Sequence, residues 1–179
     1  MSGEEVRSDA AIQQVFDILA DYVEQYRNKM QRSTQRHKID LGYLAFSAGD
    51  HHYLLDMGKV LEVNAEIPQL TPLPFTPGWL LGLTSSRGEV YSVVEFKRFV
   101  DSNASRRLAQ GESYIALQEE GRGYILKVDA VQGIRYCEVS QLKSPRAWIN
   151  GHATMDGREW LRIDLAHLVV DAKFIQSLQ

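Results

Sequence analysis

Apolar and polar positions change their period as the chain is read. Between residues 10 and 30, Ile12, Val15, Phe16, Leu19, Tyr22, Val23, Tyr26 and Met30 recur at three- and four-residue spacing. Gln14, Asp17, Asp21 and Gln25 occupy the opposite face, with Arg32 beyond. That spacing predicts an amphipathic helix, with Ser8 or Asp9 placed to cap its start. Its apolar face either packs on the rest of the chain or docks on another protein. From Arg27 to Asp40 the chain is polar and charged and reads as a linker.

Beyond the linker the period shortens to that of strands. Leu44-Ala45-Phe46-Ser47 enters a Gly49-Asp50 turn and His52-Tyr53-Leu54-Leu55-Asp56-Met57 leaves it, which predicts a hairpin. Tyr114 to Gln118 and Gly123 to Val128 repeat that hairpin around Glu120-Gly121. A further short strand follows each, near Val60 to Val63 and near Val131 to Tyr136. Pro68 to Gly78 holds four of the five prolines and reads as an irregular loop. Two more strands flank each of the Arg87-Gly88 and Asp156-Gly157 turns, whose glycines suit positive φ. Leu161, Ile163 and Leu165 alternate with Arg162 and Asp164, the pattern of a half-buried strand. A C-terminal helix is expected from Leu165 through Val170, with Phe174, Ile175 and Leu178 covering the core.

These strands are one pattern written twice. At an offset of 71, Ala45 falls on Ala116, Tyr53 on Tyr124, Val60 on Val131 and Val63 on Ile134. At an offset of 69, Trp79 falls on Trp148, Gly82 on Gly151, Gly88 on Gly157, Phe96 on Leu165 and Val100 on Val169. Two copies are too few for a solenoid, so the repeat predicts two similar modules side by side. Each spans about 60 residues, too small to be comfortable alone, so the two should share apolar surface. Five short strands with two hairpins suggest a small closed or nearly closed barrel, which removes aggregation-prone edges. Where the copies agree the residues should serve the fold. Where they disagree, function is the place to look, and the sharpest disagreement is Arg87 against Asp156.

Composition narrows the function classes. A formal net charge of -3 argues against a general nucleic-acid or anionic-membrane surface. No apolar run is long enough to span a bilayer, and acidic Glu4 and Glu5 do not fit a signal peptide. One cysteine, Cys137, excludes an internal disulfide or a cysteine-rich zinc site. The expectation is a soluble, cytoplasmic protein.

Candidate chemistry is sparse. Asp50, His51, His52 and Asp56 cluster in sequence, but consecutive strand residues face opposite ways, so the two histidines do not suit one metal. There is no G-x-S-x-G elbow, Walker-type loop or H-E-x-x-H pair. Cys137 stands beside Glu138, which would raise a thiol pKa, so an inert thiol is expected. Lys97-Arg98 and Arg106-Arg107 are expected to be solvated faces. No enzyme, cofactor or metal is expected.

Phe46 to Val100 resembles the CheW family of chemotaxis coupling proteins. The matching pieces are Val60-Leu61-Glu62-Val63, Leu73-Pro74-Phe75-Thr76-Pro77-Gly78, Leu81-Gly82-Leu83, Arg87-Gly88 and Val93-Val94-Glu95-Phe96. In the second copy Val128-Asp129-Ala130-Val131 is similar to the family's Val-Asp-x-Val signature. The resemblance covers about residues 42 to 170. It implies a mainly β fold of two packed five-stranded SH3-like barrels, with an added N-terminal helix and a short C-terminal helix. Residues 1–40 would be helix and linker and 41–179 the CheW-like domain. Its subdomains would lie at about 41–105 and 106–170, either self-contained or exchanging strands.

The resemblance also implies a role without chemistry. CheW-like proteins are adaptors that bind the signalling tip of a methyl-accepting chemoreceptor and the regulatory domain of a CheA-type histidine kinase. The family arginine linked to that coupling corresponds to Arg87, followed by Gly88, and the interface segment to Val60 and Glu62. Leu61, Val90 and Tyr91 are candidate apolar anchors for the same partners. This chain departs from the family in having Ser85-Ser86 for Asn-Leu, Ser92 for a proline and Glu95-Phe96 for Asp-Leu. The N-terminal helix and the ending Trp160 to Phe174 are similar to PilI-type adaptors of type IV pilus twitching systems. The competing expectations are a diverged binding module that regulates another partner without the kinase, and an enzyme on a small-barrel scaffold. The implied location is cytoplasmic, at membrane-associated receptor arrays, with no direct membrane insertion.

Overall fold

The computed structural model of the protein describes residues 42–104 and 111–175. The expected N-terminal helix and linker, Arg106-Arg107 and Leu178 lie outside these residues. Leu41 to Gln179 form one compact unit.

The first copy supplies β1 (Tyr43–Ala48), β2 (His51–Asp56), a single 3-10 turn at Met57–Lys59, β3 (Val60–Asn64), β4 (Leu80–Ser86) and β5 (Glu89–Glu95). The second supplies β6 (Ser113–Glu119), β7 (Arg122–Val128), β8 (Ala130–Arg135), β9 (Ser140–Gln141), β10 (Ile149–Met155) and β11 (Arg158–Ile163). Among the described residues there are three short helices: α1 (Phe96–Val100) and α2 (Leu165–Val169), each after a strand, and α3 (Ala172–Ile175) after α2. The sequence reading missed α1, although the repeat aligns Phe96 with Leu165, the first residue of α2. The expected C-terminal helix is split after Val169 into α2 and α3.

The fold is mainly β: two packed SH3-like barrels built on a six-stranded sheet, ordered β8-β1-β2-β11-β10-β9, and a five-stranded sheet, ordered β3-β6-β7-β5-β4. Each sheet takes the first hairpin of one copy (β1–β2 or β6–β7) and its remaining strands, a second hairpin among them, from the other copy. The exchange keeps the repeat's symmetry. β2 pairs parallel to β11 with Trp160 opposite His52, and β5 pairs parallel to β7 with Tyr91 opposite Gly123. Those pairs are the same pair shifted by the two offsets.

The short strand β9 also has its counterpart. Ser140 pairs with His152 as Thr71 pairs with Leu83. Gly82 explains how the Thr71 strand comes so close, because a β-carbon there would lie 2.2 Å from the Thr71 carbonyl oxygen. At the matching Gly151 a β-carbon would meet Val139 at 2.5 Å. The repeated glycine is therefore a packing requirement.

Central β2 and β7 read as unbroken apolar runs because both of their faces are covered. Tyr53 and Leu55, with Leu126 and Tyr124, enter one main core that both sheets share. Leu54 and Ile125 point the other way into two smaller clusters. In the main core Phe174 sits against Trp79, Phe99 and Tyr124, with ring centroids 5.7, 5.5 and 5.5 Å away. Phe174 is buried as expected, whereas Ile175 is largely exposed.

A polar clasp ties the exchanged parts together. Lys97 of α1 is 8% exposed and its Nζ lies 2.9 Å from Asp129 Oδ1. Asp129 Oδ2 accepts from the Gly49 N–H at 2.8 Å, and the Asp129 N–H donates to the Ser47 carbonyl at 3.0 Å. One carboxylate after β7 thus holds α1 and the β1–β2 turn. Arg98 donates to the Gly78 carbonyl at 2.7 Å and stands 3.6 Å from Glu95. Lys97-Arg98 is accordingly not a solvated face, because each cation found a specific acceptor within the fold. The end of α1 is finished by Lys173, which donates to the Phe99 carbonyl, and by Arg146, which donates to the Val100 carbonyl at 3.0 Å.

Candidate functional site: the Arg87 turn and the β3 strand

The β4–β5 turn carries Arg87 at its tip with φ +53°, followed by Gly88 at φ +82°. Both central residues are therefore left-handed, as a two-residue hairpin of primed type requires. In the second copy Asp156 takes the same conformation at φ +52°. Aspartate tolerates that region because its short side chain bonds locally, whereas arginine gains nothing there. An arginine kept in a conformation that suits glycine, asparagine or aspartate points to a role for its side chain.

Arg87 is 81% exposed in its side chain and reaches back to β3, where its Nη2 lies 2.8 Å from Glu62 Oε2. Glu62 rather than Glu89 is thus its ion-pair partner. Glu89 instead accepts from the Tyr91 hydroxyl at 3.3 Å. Burial first, then the charge and hydrogen bond of Glu89 and the charge of Glu62, raise the Tyr91 pKa, with Arg87 opposing them. The structure therefore brings Arg87, Glu62, Glu89 and the Tyr91 hydroxyl to one end of the five-stranded sheet.

The apolar candidates divide. Leu61 and Val90 are 52% and 61% exposed. In the second copy they become Gln132 and Glu159, so at these two positions the first copy alone is apolar. Val63 on β3 is also exposed. Val60 is half-buried and packs against the main core. Tyr91 is 7% exposed, with its ring among Val93, Ala116 and Ile125. As an anchor candidate Tyr91 is corrected: the strand period turns its ring inward, and only the hydroxyl reaches the rim. Gly88 is exposed, and its missing β-carbon leaves open space.

Sequence reasoning did not find the groove beside Val90. It has a volume of about 570 Å³ and runs between Glu89, Val90 and Ser92 on β5 and Arg122 and Tyr124 on β7. Its walls come from the parallel pairing of strands from different copies, which no local pattern announces. Phe75, like Glu120 and Asp156, is a further exposed residue with positive φ, fully open to solvent at φ +59°.

Elsewhere the chemistry is thin. His51 is exposed while His52 stacks near Trp160, on opposite faces as expected. Among the described residues no group of three His, Cys, Asp or Glu is placed to hold a metal ion. The Cys137 thiol is pushed up, and the cause is burial rather than the adjacent Glu138.

Residues 42–173 match the CheW-like domain family. This chain belongs to that family. Protein FrzA of Myxococcus xanthus is 30% identical over 105 residues, covering 58% of this chain and 63% of FrzA. The chemotaxis protein CheW of Rhizobium meliloti (strain 1021) is 31% identical over 91 residues, covering 51% of this chain and 57% of that protein. The matches thus span about three fifths of the length of these relatives. The crystal structure of the scaffolding protein TtCheW from Thermoanaerobacter tengcongensis superposes with a TM-score of 0.65. It is 23% identical and covers 74% of this chain and 94% of its own, which establishes the shared fold.

Within this CheW-like domain the Val-Asp-x-Val signature has a structural explanation, since its aspartate is Asp129 of the clasp. Two departures from the family pattern also find places. Glu95 is buried beside Arg98, and Ser92 lines the groove.

Proposed function

We propose that the chain is a noncatalytic adaptor in chemotaxis-like signalling that couples chemoreceptors to a CheA-type histidine kinase. The receptor's signalling tip and the kinase's regulatory domain are the partners of this reading. Type IV pilus twitching is the pathway it names, at cytoplasmic receptor arrays. The observation that carries it is the exposed Arg87, held left-handed beside Glu62, with Leu61 and Val90 open to solvent and no such set in the second copy. Arginine with neighbouring apolar side chains is the composition of an interface hot spot. A planar guanidinium suits carboxylates and helix-end carbonyls on a partner. Family membership, and relatives that are a chemotaxis protein and a scaffolding protein, support the same reading. No helix among the described residues is long and apolar enough to cross a membrane, in keeping with a protein that reaches the receptors by binding them.

The test is to purify the protein from its native cells and identify its companions by mass spectrometry. A CheA-type kinase recovered with receptors, and with pilus components, is the expected result. Arg87→Glu should lose those companions while its unfolding free energy stays within about 0.5 kcal/mol of the parent, as for most surface changes. Arg87→Asn suits the left-handed turn better and should keep or raise the melting temperature while still losing the partners. Recovery of neither kinase nor receptor by folded protein would overturn the coupling reading in favour of a diverged regulatory module. Unfolding of Arg87→Glu would make the arginine structural.

A further inference from the structure

The two outer faces of the sheets occupy equivalent positions in the repeat but differ in chemistry. On the five-stranded sheet the face is apolar, with Tyr91, Val93, Ala116 and Ile125 covered by Ile67 and Leu70. On the six-stranded sheet the equivalents of Tyr91, Val93 and Gly123 are Trp160, Arg162 and His52. Trp160 and Arg162 are two residues apart on β11, so they share a face, and Trp160 pairs with His52 on β2. The His52 and Trp160 rings are 4.9 Å apart. The irregular chain around Cys137 and Val139 covers this face.

Three nitrogens on this face are out of water and have no hydrogen-bond partner: His52 Nδ1, Trp160 Nε1 and Arg162 Nε. Trp160 is 3% exposed. Indole and guanidinium nitrogens can only donate. The guanidinium does make two contacts. Nη1 donates to Asn150 Oδ1 at 3.3 Å, and the group lies 5.9 Å from the Tyr43 ring centre. Asn150 in turn donates to Asp164, whose carboxylate also accepts from His167. Among the described residues no ion pair forms to Arg162. The fourth unpartnered group, the Tyr53 hydroxyl, lies on the inner face and is not part of the set.

The Asp164 charge reaches Arg162 across Asn150 but leaves its Nε edge without an acceptor. A half-buried guanidinium edge and a neighbouring indole donor without acceptors are costly unless something supplies lone pairs. The equivalent apolar face shows that the fold does not need them. We propose that His52, Trp160 and Arg162 form a binding site for a small oxyanion, a carboxylate or phosphate group, on the outer face of the six-stranded sheet. Arg162 supplies the charge through its Nε edge, Trp160 donates a single N–H, and His52 sets the far wall. Entry is by displacement of the irregular segment around Val139. The site is separate from the Arg87 turn, which belongs to the other sheet, and does not depend on the adaptor reading.

The experiment uses the full chain labelled with nitrogen-15. The Trp160 indole and Arg162 Nε–H resonances are followed while acetate or inorganic phosphate replaces chloride at constant ionic strength. Trp160→Phe identifies the indole signal among the three tryptophans. Saturable shifts of both signals at millimolar anion are expected. Acetate preference would name a carboxylate and phosphate preference a phosphate group. Arg162→Met, which keeps the aliphatic volume, should abolish saturation. Arg162→Lys, the gentler change, should keep the fold and weaken binding at least tenfold, because the planar edge is lost. Shifts that stay linear with both anions, or that persist in the folded Arg162→Lys variant with unchanged affinity, would overturn the proposal and leave the nitrogens to buried water.

Discussion

Removing the Asp129 carboxylate tests the clasp between the exchanged parts most directly. Lys97 Nζ is 2.9 Å from Asp129, with side chains 8% and 21% exposed, so solvent screens the pair little. Breaking such a pair by removing one partner costs about 3–5 kcal/mol, since a buried ammonium loses a carboxylate that it faces. Loss of the Gly49 N–H bond falls within the same change and is not simply additive. Asp129→Ala should therefore remove about 3–5 kcal/mol from a domain whose total stability is of the order of 5–15 kcal/mol. With a urea slope near 2 kcal/mol/M, the midpoint should fall by roughly 1.5–2.5 M. Lys97→Met keeps most of the volume and leaves Asp129 bonded to Gly49, so it should cost less, about 1–3 kcal/mol. The double variant should be more stable than Asp129→Ala alone, because no ammonium is left facing a missing carboxylate. Urea unfolding of the four proteins measures all of this. A single-variant loss under about 1 kcal/mol, or costs that add within about 0.5 kcal/mol, would refute the clasp.

Phe174→Ala should destabilise by about 3–5 kcal/mol, because Phe174 is 1% exposed among Trp79, Phe99 and Tyr124; chemical unfolding checks it. Gly82→Ala should cost at least about 2 kcal/mol, since its β-carbon would strike the Thr71 carbonyl and its φ of +141° disfavours a side chain, whereas Gly88→Ala, with open space around it, should cost less in the same assay. Asp164 caps α2 through the His167 N–H. Burial pushes its carboxyl up, but the His167 side-chain and backbone bonds, with the charges of His167 and Arg162, together hold its pKa below the ordinary 3.8. A depressed carboxyl contributes stability that is present above the unfolded value and lost as pH falls through the folded one. Acid titration of the melting temperature should therefore show a loss starting near pH 3.8 and continuing below, absent in Asp164→Ala, which should also lose about 0.5–2 kcal/mol at neutral pH.

The strands, their turns and the duplication were legible in the sequence because each depends on residues close along the chain. Alternation, turn glycines and a constant offset are local facts, and they were enough to point to the family and to Arg87. Other features depended on which strand lies beside which. Self-contained and exchanged barrels present the same local pattern, and only nonlocal pairing of β2 with β11 and β5 with β7 chose between them. That pairing turned the Tyr91 ring inward, made the groove beside Val90 and set His52 against Trp160. Likewise Lys97-Arg98 reads as a soluble face until Asp129 and Gly78, distant in sequence, arrive to receive the charges. Sequence alone determined the elements and their repetition. The tertiary structure decided which polar groups left water, because burial is a property of neighbours brought together across the chain.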